Sequence, residues 1–316
     1  MGNDNAHFDV VLANAAVEYR NKKYIAGEVV PVMPVPFQSG FYTVFDKKDR
    51  FTRAKTIIGP KDYNNQVDWN TSEDPYACDD HGLADFLTDK KVKNNNKIRG
   101  SLRVRIAERL TDLLLLEREI LAATLAFTYA NFGASYRITL SGADQFSQPT
   151  TSDPFGVIDT AKAACFTDPN VIVMGKQVFD KLKRHPALLD HVKGGGTTSN
   201  PAKITAELMA EIFEVDKVIV GAAKYNTANK GQTASFDYIW GKHILCAYVD
   251  PAVDIDGITW AKCFGEEYAN GAGNVRVKST RDERKGGGGE WIDVNMSMRH
   301  AVVCSDIAYL IKDAIA

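Results

Sequence analysis

An α+β fold is predicted by three features of the sequence. Between Ser101 and about Tyr129 there is no Pro or Gly, and Leu102, Ile106, Leu110, Leu113, Ile120 and Leu121 recur near helical spacing. Over residues 155–220 short helix and strand signals alternate. From Ser235 to Ser297 the pattern turns to strands.

The chain opens with a short apolar stretch (Val10, Val11, Leu12, Ala15, Val17) and runs into Val29-Val30-Pro31-Val32-Met33-Pro34-Val35-Pro36. Prolines so spaced forbid both a helix and a central strand, so residues 1–45 are expected to form an extended arm or a sheet edge. Residues 46–98 hold only 16 apolar side chains in 53 positions, too few for a core of their own. Charge comes here in blocks. Asp46 to Lys61 carries six bases, among them Lys47, Lys48 and Arg50, and two acids. Asp62 to Asp89 carries eight acids, among them Glu73, Asp74, Asp79 and Asp80, and no Lys or Arg. Lys90 to Arg105 carries seven bases, Lys90, Lys91, Lys93, Lys97 and Arg99 among them, and no acid. Solvated surfaces usually intersperse signs, so such blocks mark interaction segments. The expectation is a projecting hairpin with a basic outgoing limb and an acidic return.

The Ser101 helix, at about 30 residues and 1.5 Å rise, would be roughly 45 Å long and end by Gly133. That length suits a spine lying across a sheet. A strand over Tyr136–Leu140 follows, then a helix opened by the Asp153-Pro154 pair and running to about Cys165. Val171–Met174 and Lys217–Val220 read as strands, and Lys176–Lys183, Pro186–Val192 and Thr205–Phe213 as helices. The later strands are expected at Ser235–Trp240, His243–Val249, Ile258–Phe264, Val275–Ser279 and Trp291–Ser297, with a last helix, Asp306–Ile315, capped by Ser305.

Composition narrows the function classes. The 316 residues contain 38 Lys plus Arg against 40 Asp plus Glu, a net charge of −2, so any nucleic acid would have to be met by a local patch. Five widely spaced cysteines without a C-x-x-C pair argue against a disulfide framework and a Cys-rich zinc site, and for a reducing site of synthesis. Met1–His7 lacks the basic n-region of a signal peptide, and no apolar run approaches a membrane span. No catalytic or cofactor template fits. Gly194-Gly195-Gly196-Thr197-Thr198-Ser199 lacks the P-loop order and follows a helix, and Gly286–Gly289 reads as a connection. Leu140-Ser141-Gly142 lacks the preceding glycine of a nucleophile elbow. Asp79-Asp80-His81 has no distant fourth metal ligand, and His300 and Cys304 flank the β-branched Val302-Val303, which favours a strand too extended for one ion. His185 and His191 are expected at exposed helix ends. No catalytic, cofactor-binding or metal-binding residue is therefore expected.

Several stretches in order along nearly the whole chain resemble the major capsid proteins of tailed bacteriophages, the Hong Kong 97-type fold, in a branch similar to the phage lambda major head protein. They are Val29–Val35 with Gln38-Ser39-Gly40 and Phe45-Asp46-Lys47; Arg137–Gly142 with Ser152-Asp153-Pro154; Asn170–Gly175 with His185-Pro186; Leu208–Val215 with Val218–Gly221 and Tyr225-Asn226-Thr227; Ile239–Lys242; and Ala308–Asp313. Each is weak alone, and the ordered set is specific.

The resemblance implies an N-terminal arm over 1–45, an extended loop over 46–98, a peripheral domain over 99–154 with a spine helix at 101–131, an axial domain over 155–300 with strands returning to the peripheral domain, and a closing strand and helix over 301–316. It implies a structural protein that forms pentamers and hexamers tiling an icosahedral shell around packaged double-stranded DNA, contacted without sequence specificity. Scaffold, portal and decoration proteins are the implied further partners, the virion its location after assembly in the host cytoplasm, and a membrane is not implied. Some relatives carry an N-terminal scaffolding segment, whereas here the arm starts near Met1. Some form Lys–Asn cross-links from the extended loop; Lys47, Lys48, Lys55 and Lys61 would be the donors here, but no acceptor motif matches. The twelve charged residues named above are the expected contacts between subunits. Two other classes stay in view: the shell of a cellular nanocompartment on the same fold, and an unrelated α/β enzyme suggested by the alternation at 155–220.

Overall fold

A computed structural model describes residues 6–8, 24–45, 53–54, 56–59, 63–66, 71–94, 99–193, 204–229, 231–250, 257–268, 274–285 and 287–316. Strand β1 (Ala6–Phe8) is followed by the one-turn helix α1 (Ala26–Val29) and strands β2 (Val32–Val35) and β3 (Ser39–Phe45). Next come β4 (Thr71–Ala77), β5 (Asp79–Thr88), the short helix α2 (Asp89–Asn94) and the 29-residue helix α3 (Arg99–Phe127). Strand β6 (Arg137–Thr139) leads to α4 (Pro154–Ala164), β7 (Val171–Gly175), α5 (Lys176–Leu182), α6 (Pro186–Lys193), α7 (Ala206–Ile212) and β8 (Lys217–Gly221). The remainder is almost all strand: β9 (Lys224–Asn226), β10 (Phe236–Tyr238), β11 (Ile244–Ala247), β12 (Ala261–Glu266), β13 (Val275–Asp282), β14 (Gly289–Val302) and β15 (Ala308–Lys312).

Two sheets organise the chain. The first runs β1-β13-β14-β12-β2, and β5 pairs β14 along the edge opposite β13. The 14-residue β14 is its backbone: Gly289–Met298 pairs β5 and Arg299–Val302 pairs β12. Helix α3, about 43 Å long at 1.5 Å per residue, lies across this sheet and buries Ile106, Ala107, Leu110, Leu114, Ala122, Ala123 and Ala126 against it. Those positions recur at three and four residues, so one stripe faces the sheet. The second sheet runs β6-β15-β11-β7-β8, with α4 to α7 packed on it around Ile158, Val178, Leu182, Leu188 and Met209. Every residue of β7 is buried, as expected of a strand covered on both faces. A third, small cluster (Met33, Val35, Tyr42, Cys78, Phe264, Val303) sits under the base of the β3–β4 ribbon.

Several elements lie where the sequence placed them. The spine helix is present, Asp153 caps α4 by accepting from the Gly156 amide (3.1 Å), and Thr205 caps α7 by accepting from that of Leu208 (3.2 Å). Strand β2, which contains Pro34, is the sheet's edge. Four expectations need correction. The spine stops at Phe127, short of 131, because Thr128 turns extended (φ −73°, ψ 112°) and the Asn131 side-chain amide donates to the Leu125 carbonyl (2.9 Å). The expected last helix, Asp306–Ile315, is instead a single 3-10 turn followed by β15, seated centrally between β6 and β11. Ala308–Ile311 is buried throughout, and a short all-apolar run fits a core strand as well as it fits a helix face. The extended loop is also redistributed: the ribbon begins at Ser39, inside the expected arm, while Asp79–Asn94 belongs to the first sheet and α2. Lastly, His185 is 2% exposed. It accepts from the Ala187 amide at Nδ1 (3.3 Å) and shares a hydrogen bond with Ser152 Oγ (3.0 Å), so it is a packed pin between elements and not an exposed helix end.

Candidate functional site

The ribbon is the first place where the fold offers itself to a partner. β3 and β4 pair antiparallel from Ser39↔Ala77 to Phe45↔Thr71, and no further strand flanks them among the described residues. A lone two-stranded ribbon is marginal in water. Its base is fixed by Tyr76 stacked on Phe264 (4.7 Å between centroids) and by Tyr42 tilted against the same ring (5.1 Å). Large apolar side chains near that base and between the two strands in sequence are exposed: Phe37, just before β3, is 70% exposed, Phe41 on β3 68%, Ile57 82% and Tyr63 96%. Clustered exposure of this kind marks an association surface.

The charged residues expected at subunit contacts divide into three groups. Glu73 and Asp74 are exposed on β4. Asp79 and Asp80 are on β5 and are engaged within the chain: Asp79 pairs with Arg299 (3.4 Å), and Asp80 accepts from the Tyr268 hydroxyl (2.8 Å). Burial and the Asp80 contact push the Tyr268 hydroxyl far above its usual range. Lys90, Lys91 and Lys93 are exposed on α2, whose first residue Asp89 is held by Arg281 (2.9 Å). Arg99 opens α3. Lys47, Lys48, Arg50 and Lys97 lie outside the described residues, as does Gly194–Ser199. Acidic ribbon and basic helix are thus separate surfaces of one subunit.

A buried polar clamp ties the arm to both sheets. Glu119 on α3 is fully buried and accepts from the amides of Ile25 (2.9 Å) and Ala26 (2.8 Å) and from the indole N–H of Trp240 (2.6 Å). Burial pushes its carboxyl pKa up, against the pull of those donors and of the neighbouring Arg118. At the other end of α1 the Trp260 indole donates to the Val29 carbonyl (2.8 Å), and Lys217 on β8 pairs with Glu28. Trp240 in turn lies against Gly221, where an added Cβ would sit 2.2 Å from the indole ring. On the far side of the first sheet Arg103 of α3 donates to the buried Glu290 of β14 (2.8 Å), which Ser279 also contacts. Sequence inspection missed Glu119, although the signal was present: it falls three, four and seven residues from Ala122, Ala123 and Ala126, on the buried face.

Among the described residues no group of three His, Cys, Asp or Glu could hold a metal, and no helix is long and apolar enough to cross a membrane. Burial pushes the Cys165 thiol up to about 12 and that of Cys263 to about 11, so neither is poised as a nucleophile.

No protein-family model matches the chain. It is 30% identical over its full 316 residues, and over the full length of the relative, to the major capsid protein of Pseudomonas phage JBD67. The chain belongs to the phage major capsid proteins. Among solved structures, a phage-related protein from Bordetella bronchiseptica superposes with a TM-score of 0.76 at 22% identity, over 97% of both chains. An encapsulin complex from Synechococcus elongatus superposes with a TM-score of 0.53 at 12% identity, over 96% of this chain and 95% of that one. The fold of this capsid protein is accordingly the Hong Kong 97 type, shared by phage shells and encapsulins.

Proposed function

We propose that the chain is a non-enzymatic building block that associates into pentamers and hexamers, closes them into an icosahedral head, and encloses double-stranded DNA. The reading keeps an arm over 1–45, an extended loop over 46–98, a peripheral domain over 99–154, an axial domain over 155–300 and a closing segment over 301–316, and the β3–β4 ribbon, α3 on the first sheet, and the second sheet under α4 to α7 support it. The observation that carries this reading is the full-length match to a named capsid protein, joined to the exposure of Phe37 and Phe41 at the ribbon of the single subunit. Scaffold, portal and decoration proteins are the partners such a shell would need, and the virion is where it would reside after assembly in the host cytoplasm.

The likeness to an encapsulin supports a second reading, a protein-filled compartment on the same fold. Particle contents separate the two. Particles purified from cells producing the chain's parent virus should hold nuclease-protected duplex DNA; particles filled with one cargo protein and free of DNA would favour the compartment.

A further inference from the structure

The second sheet carries a cleft of about 720 Å³ between α5 and the chain's last residues, and its lining is strongly cationic. Lys181, Lys183, Arg184 and Lys242 all face it. Asp180 is the one acidic side chain of the lining, and it is already neutralised in place by Lys176 (2.9 Å) and Lys183 (2.5 Å). Lys181, Arg184 and Lys242 are exposed and make no ion pair among the described residues. Three cations converging on one concavity repel one another, and the arrangement is relieved by an anion between them.

The floor is rigid. Phe146 and Ile315 are buried in it, and His185 is pinned beneath it by the Ser152 and Ala187 contacts. The cations therefore stand on a fixed surface, with Gln177 and Ser147 supplying neutral polar groups beside them. Of the exposed lining residues only Pro149 and Ala316 are apolar, and neither is the large aromatic anchor that fixes a peptide in a pocket. Arg184 offers the planar fork suited to a phosphate, and the lysines act as point charges around it.

We infer that this cleft is a phosphate-ester site through which the subunit holds the backbone of enclosed duplex DNA. The inference rests on reading the chain as a DNA-enclosing shell, and it adds which face of the subunit meets the genome. Contacts of this type fix no sequence, as a container requires.

The test uses the full-length protein dissociated into subunits, so that the cleft is open to solvent, and a fluorescent random-sequence duplex, with affinity measured across a salt series. Replacing Lys181, Arg184 and Lys242 together by Ala should weaken binding equally for duplexes of unlike sequence. At roughly 0.9 per phosphate contact, the slope of log K against log salt should become shallower by about 2.7. Replacing Lys90, Lys91 and Lys93 on α2 by Ala should leave the slope unchanged. Should the cleft variant fold poorly, lysine acylation of the wild-type protein decides: duplex should protect Lys181 and Lys242. An unchanged slope, an equal loss in the α2 variant, absent protection, or polyglutamate binding as tightly as duplex would each overturn the inference. Electron microscopy of the same samples keeps the two claims apart. Closed shells reassembled from these subunits, together with a subunit salt slope indifferent to the cleft, would remove the site and leave the shell reading standing.

Discussion

Glu119 shows how one side chain sets the relation between arm, spine and axial sheet. Both its oxygens accept from N–H groups, so Glu119→Gln turns an amide NH2 toward a donor whichever way it sits. The expected cost is about 1–3 kcal/mol, read as a lower denaturant midpoint at unchanged m-value. His300 on β14 gives a pH signature. Burial, reinforced by the charges of Arg118, His81 and Arg299, lowers its pKa to about 4, and its buried Nε2 has no hydrogen-bond partner among the described residues. The folded value lies below the ordinary 6.5, so the stability it contributes is complete above pH 6.5 and is lost as pH falls through 4. The loss should be on the order of 2–3 kcal/mol between pH 7 and pH 4. Urea titrations should show this slope in the wild type and a flatter one in His300→Gln. Both residues were readable from spacing only in part: periodicity marks the buried face of α3, but which donors fill that face depends on a tryptophan 121 positions away.

At the scale of elements, the charge blocks remain a proposal for contacts between subunits, and the structure narrows which side chains are available for them. Asp79 and Asp80 are spent on Arg299 and Tyr268, so the acids free to reach a neighbour are those of the ribbon, Glu73 and Asp74. Pairing of that ribbon with the Lys90, Lys91 and Lys93 face of an adjacent subunit would set register and rate more than affinity. Single exposed pairs are worth about 0–1 kcal/mol, so one substitution should do little. Reversing Lys90, Lys91 and Lys93 to Glu should block particle formation in light scattering while circular dichroism stays unchanged, and Glu73→Lys with Asp74→Lys should restore it in part. Restoration by an unrelated reversal elsewhere would argue against register. The spine, the capped helices α4 and α7, and the proline-bearing edge strand were legible because each follows from a local rule. The position of β15 was not. Its partners, Ile138 and Ile244, are far away in sequence, and pairing with them decides between strand and helix for an apolar run that local spacing leaves open. The same holds for β5, an acid-rich segment with little strand propensity that is recruited by the long edge of β14.

The whole molecule has two well-filled cores and an appendage that has none. The first sheet under α3 and the second sheet under α4 to α7 each bury a large apolar cluster, whereas Phe37 and Phe41 at the ribbon, and Ile57 and Tyr63 between its strands in sequence, stand in water. A subunit built this way is stable in its body and incomplete at its edge, and association with copies of itself completes it. Hydrogen exchange should accordingly show the amides of β3 and β4 fast in dissociated subunits and slow in particles, with α3 slow in both. The most direct measurement is cryo-electron microscopy of the full-length chain co-produced with the scaffold of its parent virus. The expected result is closed shells of pentamers and hexamers in which each β3–β4 ribbon lies over a neighbouring subunit. A population of monomers or small oligomers, with the ribbon packed back on its own subunit, would contradict the account.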